Sequence, residues 1–141
     1  MDIVDLIHAH ENLTTLAIAI ANADFIPLLR SKKENFTFFA PHNDAFNEEL
    51  RNMIISNETG TFDLLSRHKV VGHGRLTTDK IGSGKLITVS NHGNGMIEIR
   101  RNRTTDAITA VEIPGNNPFA TIVQRDIYAS NGVIHILNRV L

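Results

Sequence analysis

The most constraining feature of the chain is its last stretch, Asn131-Gly132-Val133-Ile134-His135-Ile136-Leu137-Asn138-Arg139-Val140-Leu141. Val133, Ile134, Ile136, Leu137, Val140 and Leu141 are apolar, and β-branched residues dominate the run. Such a run predicts a strand buried on both faces rather than a half-solvated one. It cannot be an edge, so the earlier segments must pack around it. Because it comes last, its contacts are long-range and the fold closes only when the whole chain is present. Asn131-Gly132 predicts a tight turn into the strand, since both residues tolerate positive φ. His135 is the one ionisable side chain in the middle of the run, and its burial requires partners for the ring nitrogens.

Upstream, the first half reads as helices. Ile3, Val4, Leu6 and Ile7 suggest a short opening helix. His8 and His10 follow, two apart, and are expected to point to different faces and to be exposed. Asn12 predicts an N-cap, after which Leu13, Leu16, Ala17 and Ile20 repeat on one helical face. Asp24 is expected to cap a third helix with Pro27 in its first turn and Phe25, Leu28 and Leu29 as its apolar side. Residues 36–39 read as a strand stopped by Ala40-Pro41. Asn43 is expected to cap a helix burying Phe46, Leu50, Met53 and Ile54. Thr61 is expected to cap the next, where Phe62, Leu65 and the stem of Lys69 share a face and His68 ends the helix. From Gly72 the period changes to two. Residues 85–90 and 96–101 read as a hairpin around 91–95, residues 106–113 as a further strand, and 114–118 as a loop. The sum is an α+β arrangement, helices mainly in the N-terminal half and an antiparallel sheet after them.

Composition narrows the chemistry. At 141 residues one domain is expected, 1–141, with a core large enough to need no cross-links. The absence of cysteine excludes a disulfide framework, a thiol nucleophile and a thiolate metal site. A formal net charge of -1 argues against a general nucleic-acid binder. Arg100, Arg101 and Arg103 form one basic cluster, read as a solvated hairpin end, with an anion or glycan contact as the other reading. No run approaches a membrane span, so no direct membrane insertion is expected. Residues 1–141 look like a domain trimmed from a longer protein, or a mature domain whose leader has been removed. Histidines at 8, 10, 42, 68, 73, 92 and 135 show no metal-ligand spacing. Gly72-His73-Gly74 and Gly82-Ser83-Gly84 read as turns, and no G-x-S-x-G elbow is present. No catalytic residue, metal or cofactor is expected.

Three segments carry a resemblance. Thr37-Phe38-Phe39-Ala40-Pro41-His42-Asn43-Asp44-Ala45-Phe46, then Leu64-Leu65-Ser66-Arg67-His68-Lys69-Val70-Val71, then Asp126 through Leu141 resemble, in order, the N-terminal, middle and C-terminal signatures of the fasciclin domain. The resemblance implies a wedge of two β-sheets with several α-helices packed at one side. It implies a non-enzymatic extracellular module for cell adhesion or matrix binding, secreted or attached to the cell surface as part of a longer protein. The implied partner is a cell-surface receptor, integrin-like, or a matrix protein. In this family a Tyr-His motif is assigned to integrin-dependent adhesion, and this chain has Arg67-His68 there. An Asp-Ile pair ahead of the last signature is assigned to cell binding, and Asp126-Ile127 matches it.

The binding residues expected are therefore Asp126, Ile127 and His68. The contact should be centred on the first two near a strand end, because Arg67 offers less pre-organised apolar area than a tyrosine ring. Asn43, His68, Asn131 and His135 are expected to be structural, with His68 bonded to the corner at Asn43 as an example. Asn-X-Ser/Thr occurs at Asn12, Asn35, Asn57 and Asn102, with Asn57 the best N-glycan acceptor. Two other readings stand beside adhesion: a structural spacer, and a small-ligand-binding domain using His68 and His135.

Overall fold

The computed structural model describes residues 1–56, 59–113 and 118–141; the sequon at Asn57 and residues 114–117 of the loop expected over 114–118 lie outside them. The helices are α1 (Ile3–Ala9), α2 (Thr14–Asn22), α3 (Ile26–Leu29), α4 (Glu48–Ile55) and α5 (Thr59–His68). The strands are β1 (Phe36–Pro41), β2 (Lys69–Val70), β3 (Leu86–Ser90), β4 (Met96–Arg101), β5 (Ile108–Ile113), β6 (Ala120–Ala129) and β7 (Gly132–Leu137). They form one sheet in the order β2-β1-β7-β6-β5-β4-β3.

The terminal strand is central, as its composition requires. Every residue of β7 and of β1 is buried. Alternation divides these strands between two cores. Phe36, Phe38, Ala40, Ile134 and Ile136 pack with Ile3, Leu16, Ile20 and Phe25 from the helices. Phe39 and Leu137 pack instead with Val89, Ile97, Ile99 and Ile108 from the distal strands. Each such Leu, Ile or Phe contributes roughly 1.5–3 kcal/mol by leaving water. The sheet is mixed rather than antiparallel. β7 runs antiparallel to β6 but parallel to β1, from Phe36↔Gly132 to Pro41↔Leu137. Parallel neighbours need a long connection, and nearly everything between residues 41 and 132 supplies it.

The second core makes the sheet fold over itself. Register shifts between Ile122, Gln124 and Ile127 bulge β6, which bends a strand and increases its twist. The start of β6 pairs with β5 and the rest with β7. The ends of the sheet then meet: Val70 bridges Asn91, Val71 N donates to Ser90 O at 3.0 Å, and His92 N donates to Lys69 O at 2.8 Å. The result is the two-sheet wedge, with the helices on the outer side of β1 and β7.

Several caps differ from expectation. The N-cap of α2 is Leu13, with no side-chain bond, rather than Asn12. Asn43 supplies the acceptor instead: its Oδ1 receives the Thr15 N–H at 2.9 Å from 28 residues away. The helix after it is capped by Asn47, through Leu50 N at 2.9 Å. α3 starts from Phe25 without a side-chain cap, and Asp24 adopts φ 54 ahead of it. Thr61 lies inside α5, where its hydroxyl donates to Met53 O. Lys69 has left the helix for β2; its Nζ donates to Leu28 O and sits over the Phe36 ring. β1 continues through Pro41, which needs no N–H at a strand end. A sequence shows which residues are able to cap, but proximity in space decides which orphan N–H they meet.

Candidate functional site

The bulge in β6 places Asp126 inside the strand, at φ 55, and not at a corner before the turn. Its carboxylate accepts from the Thr78 N–H at 2.9 Å and from the Thr78 hydroxyl. Its own N–H donates to Nδ1 of His135 at 3.1 Å. That bond fixes the tautomer, because Nδ1 must be bare to accept, so the Nε2 proton goes to Leu76 O at 2.7 Å. Burial pushes the His135 pKa down, against the opposing bond to Leu76 and the Asp126 charge. A neutral imidazole therefore bolts β7 to β6 and to the segment before Thr78.

His68 uses the opposite tautomer. Its Nδ1–H donates to Leu64 O at 2.7 Å, and Nε2 accepts the Leu141 N–H at 3.0 Å. It is fully buried, which pulls its pKa from 6.5 down to about 4. His68 does not reach Asn43, and it presents no surface to a partner, so its expected binding role is corrected. Arg67 lies beside it, half-buried, with Nε donating to Leu141 O at 3.2 Å. Neither histidine lines any of the surface hollows described. His68 locks α5 to the C-terminal residue and His135 sits within the wedge, so they form no shared pocket.

Asn131 and Gly132 act otherwise than as a positive-φ turn; neither adopts that conformation. Asn131 is buried, accepts from Ile3 N at 3.0 Å, and donates to Leu29 O at 2.7 Å and to Ser31 O at 3.3 Å. It joins α1 and α3 to the last hairpin. At Gly132 a Cβ would lie 2.0 Å from Phe36 O. Glycine is required there by backbone approach, the other use of a residue without a Cβ.

Arg75 gave no local signal in the sequence. Its guanidinium donates to Gly132 O (3.2 Å), Ala129 O (2.9 Å) and Ser130 O (3.0 Å), holding the β6–β7 turn. The Arg100–Arg103 cluster is only partly a solvated hairpin end. Arg101 Nη1 donates to Thr78 O and Ile81 O, and Nε pairs with Asp106 Oδ1 at 2.7 Å. Of the first histidines, His8 is exposed, whereas His10 is half-buried and meets Gln124 Oε1 at 3.2 Å.

Asp126 and Ile127 serve opposite faces of the sheet. Ile127 packs against the helical core and lines a small apolar hollow with Leu6, Ala9, His10, Leu13 and Ile134. Beyond it Tyr128 is 64% exposed, and Val123 on the other flank is 55% exposed. Among the described residues no group of His, Asp or Glu is clustered to hold a metal, and no helix is long and apolar enough to cross a membrane.

The fold is a helix-backed, nearly closed sheet wedge whose buried polar side chains His68, Asn131 and His135 serve as braces. Fasciclin domain is the family whose model matches residues 11–141, and the chain belongs to that family. It is 29% identical over 148 residues to the Synechocystis sp. protein sll1483, covering 100% of this chain and 73% of that protein. It is 30% identical over 124 residues to fasciclin-1 of Schistocerca americana, covering 86% of this chain but 18% of that protein. Among solved structures, the FAS1 domain pair from the insect cell adhesion molecule fasciclin I matches with TM-score 0.69 at 22% identity. That match covers 90% of this chain and 43% of the other, and it shows the shared fold.

Proposed function

We propose that this chain is a non-enzymatic fasciclin module of an extracellular adhesion or matrix protein, and that it binds a protein partner through β6 around Asp126 and Ile127. The observation carrying this reading is the exposure of Val123 and Tyr128, 55% and 64%, on either side of that pair. Large apolar side chains presented by a strand held between β5 and β7 suit a protein contact, because little side-chain or backbone freedom is lost on binding. Tyrosine is also enriched at such contacts. The Asp126 side chain keeps 28% of its surface open beside Thr78, so a carboxylate edge remains for a donor or for a cation held by the partner. The related insect fasciclin I is a cell adhesion molecule, which supports the same reading.

The spacer reading has one observation in its favour: both Asp126 oxygens already accept from Thr78. A pull-down separates the two. Immobilised wild type and Tyr128→Ser with Val123→Ser are exposed to cell-surface and matrix extracts, with matched circular dichroism. A specific protein retained by wild type and lost by the double variant is expected. Equal retention rules out the β6 strip, and no retention by wild type moves the weight to the spacer. Asp126→Asn keeps an acceptor and tolerates positive φ, so it isolates the charge.

A further inference from the structure

The β6 reading leaves unused a second surface, which Arg101 connects to Asp126 through Thr78. Gly84, Lys85, Leu86, Arg100, Arg101, Asn102, Arg103, Ala107 and Thr109 surround an open hollow of roughly 490 Å³. Four of these residues are cationic and, among the described residues, no carboxylate lines the hollow, in a chain whose formal net charge is -1. We propose that this hollow binds sulfate-bearing polysaccharide, with Lys85 and Arg103 as the principal anion contacts.

The hollow is held rigidly. Gly84 N donates to Arg101 O at 2.9 Å and Arg101 N donates to Lys85 O at 3.0 Å, which ties the 82–85 turn to β4. On the opposite wall Asn102 Oδ1 accepts from Thr104 N at 2.8 Å and Thr105 N at 2.9 Å, fixing the loop that carries Arg103. Gly84 has φ +71, and a Cβ there would lie 3.0 Å from Arg103 Nε, so the guanidinium lies close over the turn backbone.

The cations divide into braces and free contacts. Arg101 is committed to Asp106, Thr78 O and Ile81 O, and Arg100 pairs with Glu98 at 2.8 Å. Asp106 is shared with Arg125 at 3.2 Å, so two guanidinium groups face its single negative charge. Among the described residues Lys85 and Arg103 have no ion pair or side-chain hydrogen bond, which leaves two positive groups without a paired carboxylate. A guanidinium offers paired N–H donors to a sulfate ester and an ammonium adds a point charge. Among the described residues the one ring beside the hollow, Phe119, is covered by the Arg100 guanidinium at 5.4 Å, whereas nucleic-acid strands rely on open rings for stacking. A sulfated sugar chain needs only anion contacts and an open trough.

The test is affinity chromatography of the whole chain on immobilised heparin, with binding isotherms at near-physiological salt. Lys85→Gln with Arg103→Gln is the site variant. Lys32→Gln with Lys33→Gln removes the same charge from an exposed stretch elsewhere. Wild type should be retained and elute with salt, the site variant should bind about tenfold more weakly, and the control should behave as wild type. Flow-through of wild type, or an equal loss in the control, overturns the site. Equal affinity for duplex DNA or polyglutamate overturns the assignment to sulfated polysaccharide. The β6 residues are unchanged in every arm, so these outcomes are independent of the β6 reading.

Discussion

Acid should release the brace at His68 before it affects the carboxylates. In the folded chain Nε2 accepts the Leu141 N–H, and burial holds the pKa near 4 against 6.5 for an ordinary histidine. The unfolded chain therefore takes up a proton below 6.5 that the folded chain refuses until about 4. The stabilisation is complete above pH 6.5 and is lost as pH falls from 6.5 toward 4. These values give a loss of about 2 kcal/mol at pH 5 and about 3 kcal/mol at pH 4. His135, whose pKa burial also lowers, adds a loss of the same sign. Asp5 and Asp106 have pKa values below the ordinary 3.8, lowered first by the backbone bond from Asp2 and by the Arg101 hydrogen bond respectively, and act in a more acid window. The variant is His68→Phe, which fills the space but neither accepts nor titrates. At pH 7.5 it should lose roughly 1–3 kcal/mol, because the buried Leu141 N–H is left unpaired. Urea unfolding followed by circular dichroism at pH 7.5, 6.5, 5.5 and 5.0 should show the gap to wild type closing by about 2 kcal/mol at pH 5. Parallel losses in the two proteins would refute the reasoning.

The other braces give separate expectations. Gly132→Ala drives a Cβ into Phe36 O and should cost more than about 4 kcal/mol; a cooperative melt within a few degrees of wild type contradicts this. His135→Ala leaves Leu76 O and Asp126 N without their partner inside the wedge and should lower stability by roughly 3 kcal/mol, read from the urea midpoint. Asn43→Ala should cost about 1 kcal/mol through the lost cap on Thr15 N. Hydrogen exchange should then quicken in the first turn of α2 and stay unchanged in α4.

Some of this was legible in the sequence. The double-sided burial of β7 follows from Val133, Ile134, Ile136 and Leu137 alone, and the spacing of Leu13, Leu16 and Ile20 gave the buried face of α2. The hairpin at residues 91–95 was marked by its Asn and Gly residues, and Asn94 does adopt φ 67. What was hidden depends on neighbours distant in the chain. Nothing local says that β1 lies parallel to β7, so nothing local says that Gly132 faces a carbonyl of Phe36. Asn43 was recognisable as a capping residue, but not as the cap of a helix behind it. Asp126 reads as the head of a motif, whereas its carboxylate and N–H are used by Thr78 and His135. Arg75 is a lone arginine in a turn-rich segment, and only the folded chain brings three carbonyls to it.

If β6 presents the protein-binding strip, His135 within the wedge and His68 under α5 only hold it in place. Cell attachment to surfaces coated at equal density tests this directly. The coatings are wild type, Ile127→Ala with Tyr128→Ala, and His68→Phe, each shown folded at pH 7.5 by circular dichroism and melting. Cells should attach to wild type and to His68→Phe, and should be lost from the double variant. Attachment to the double variant equal to wild type, or its loss on folded His68→Phe alone, would contradict it.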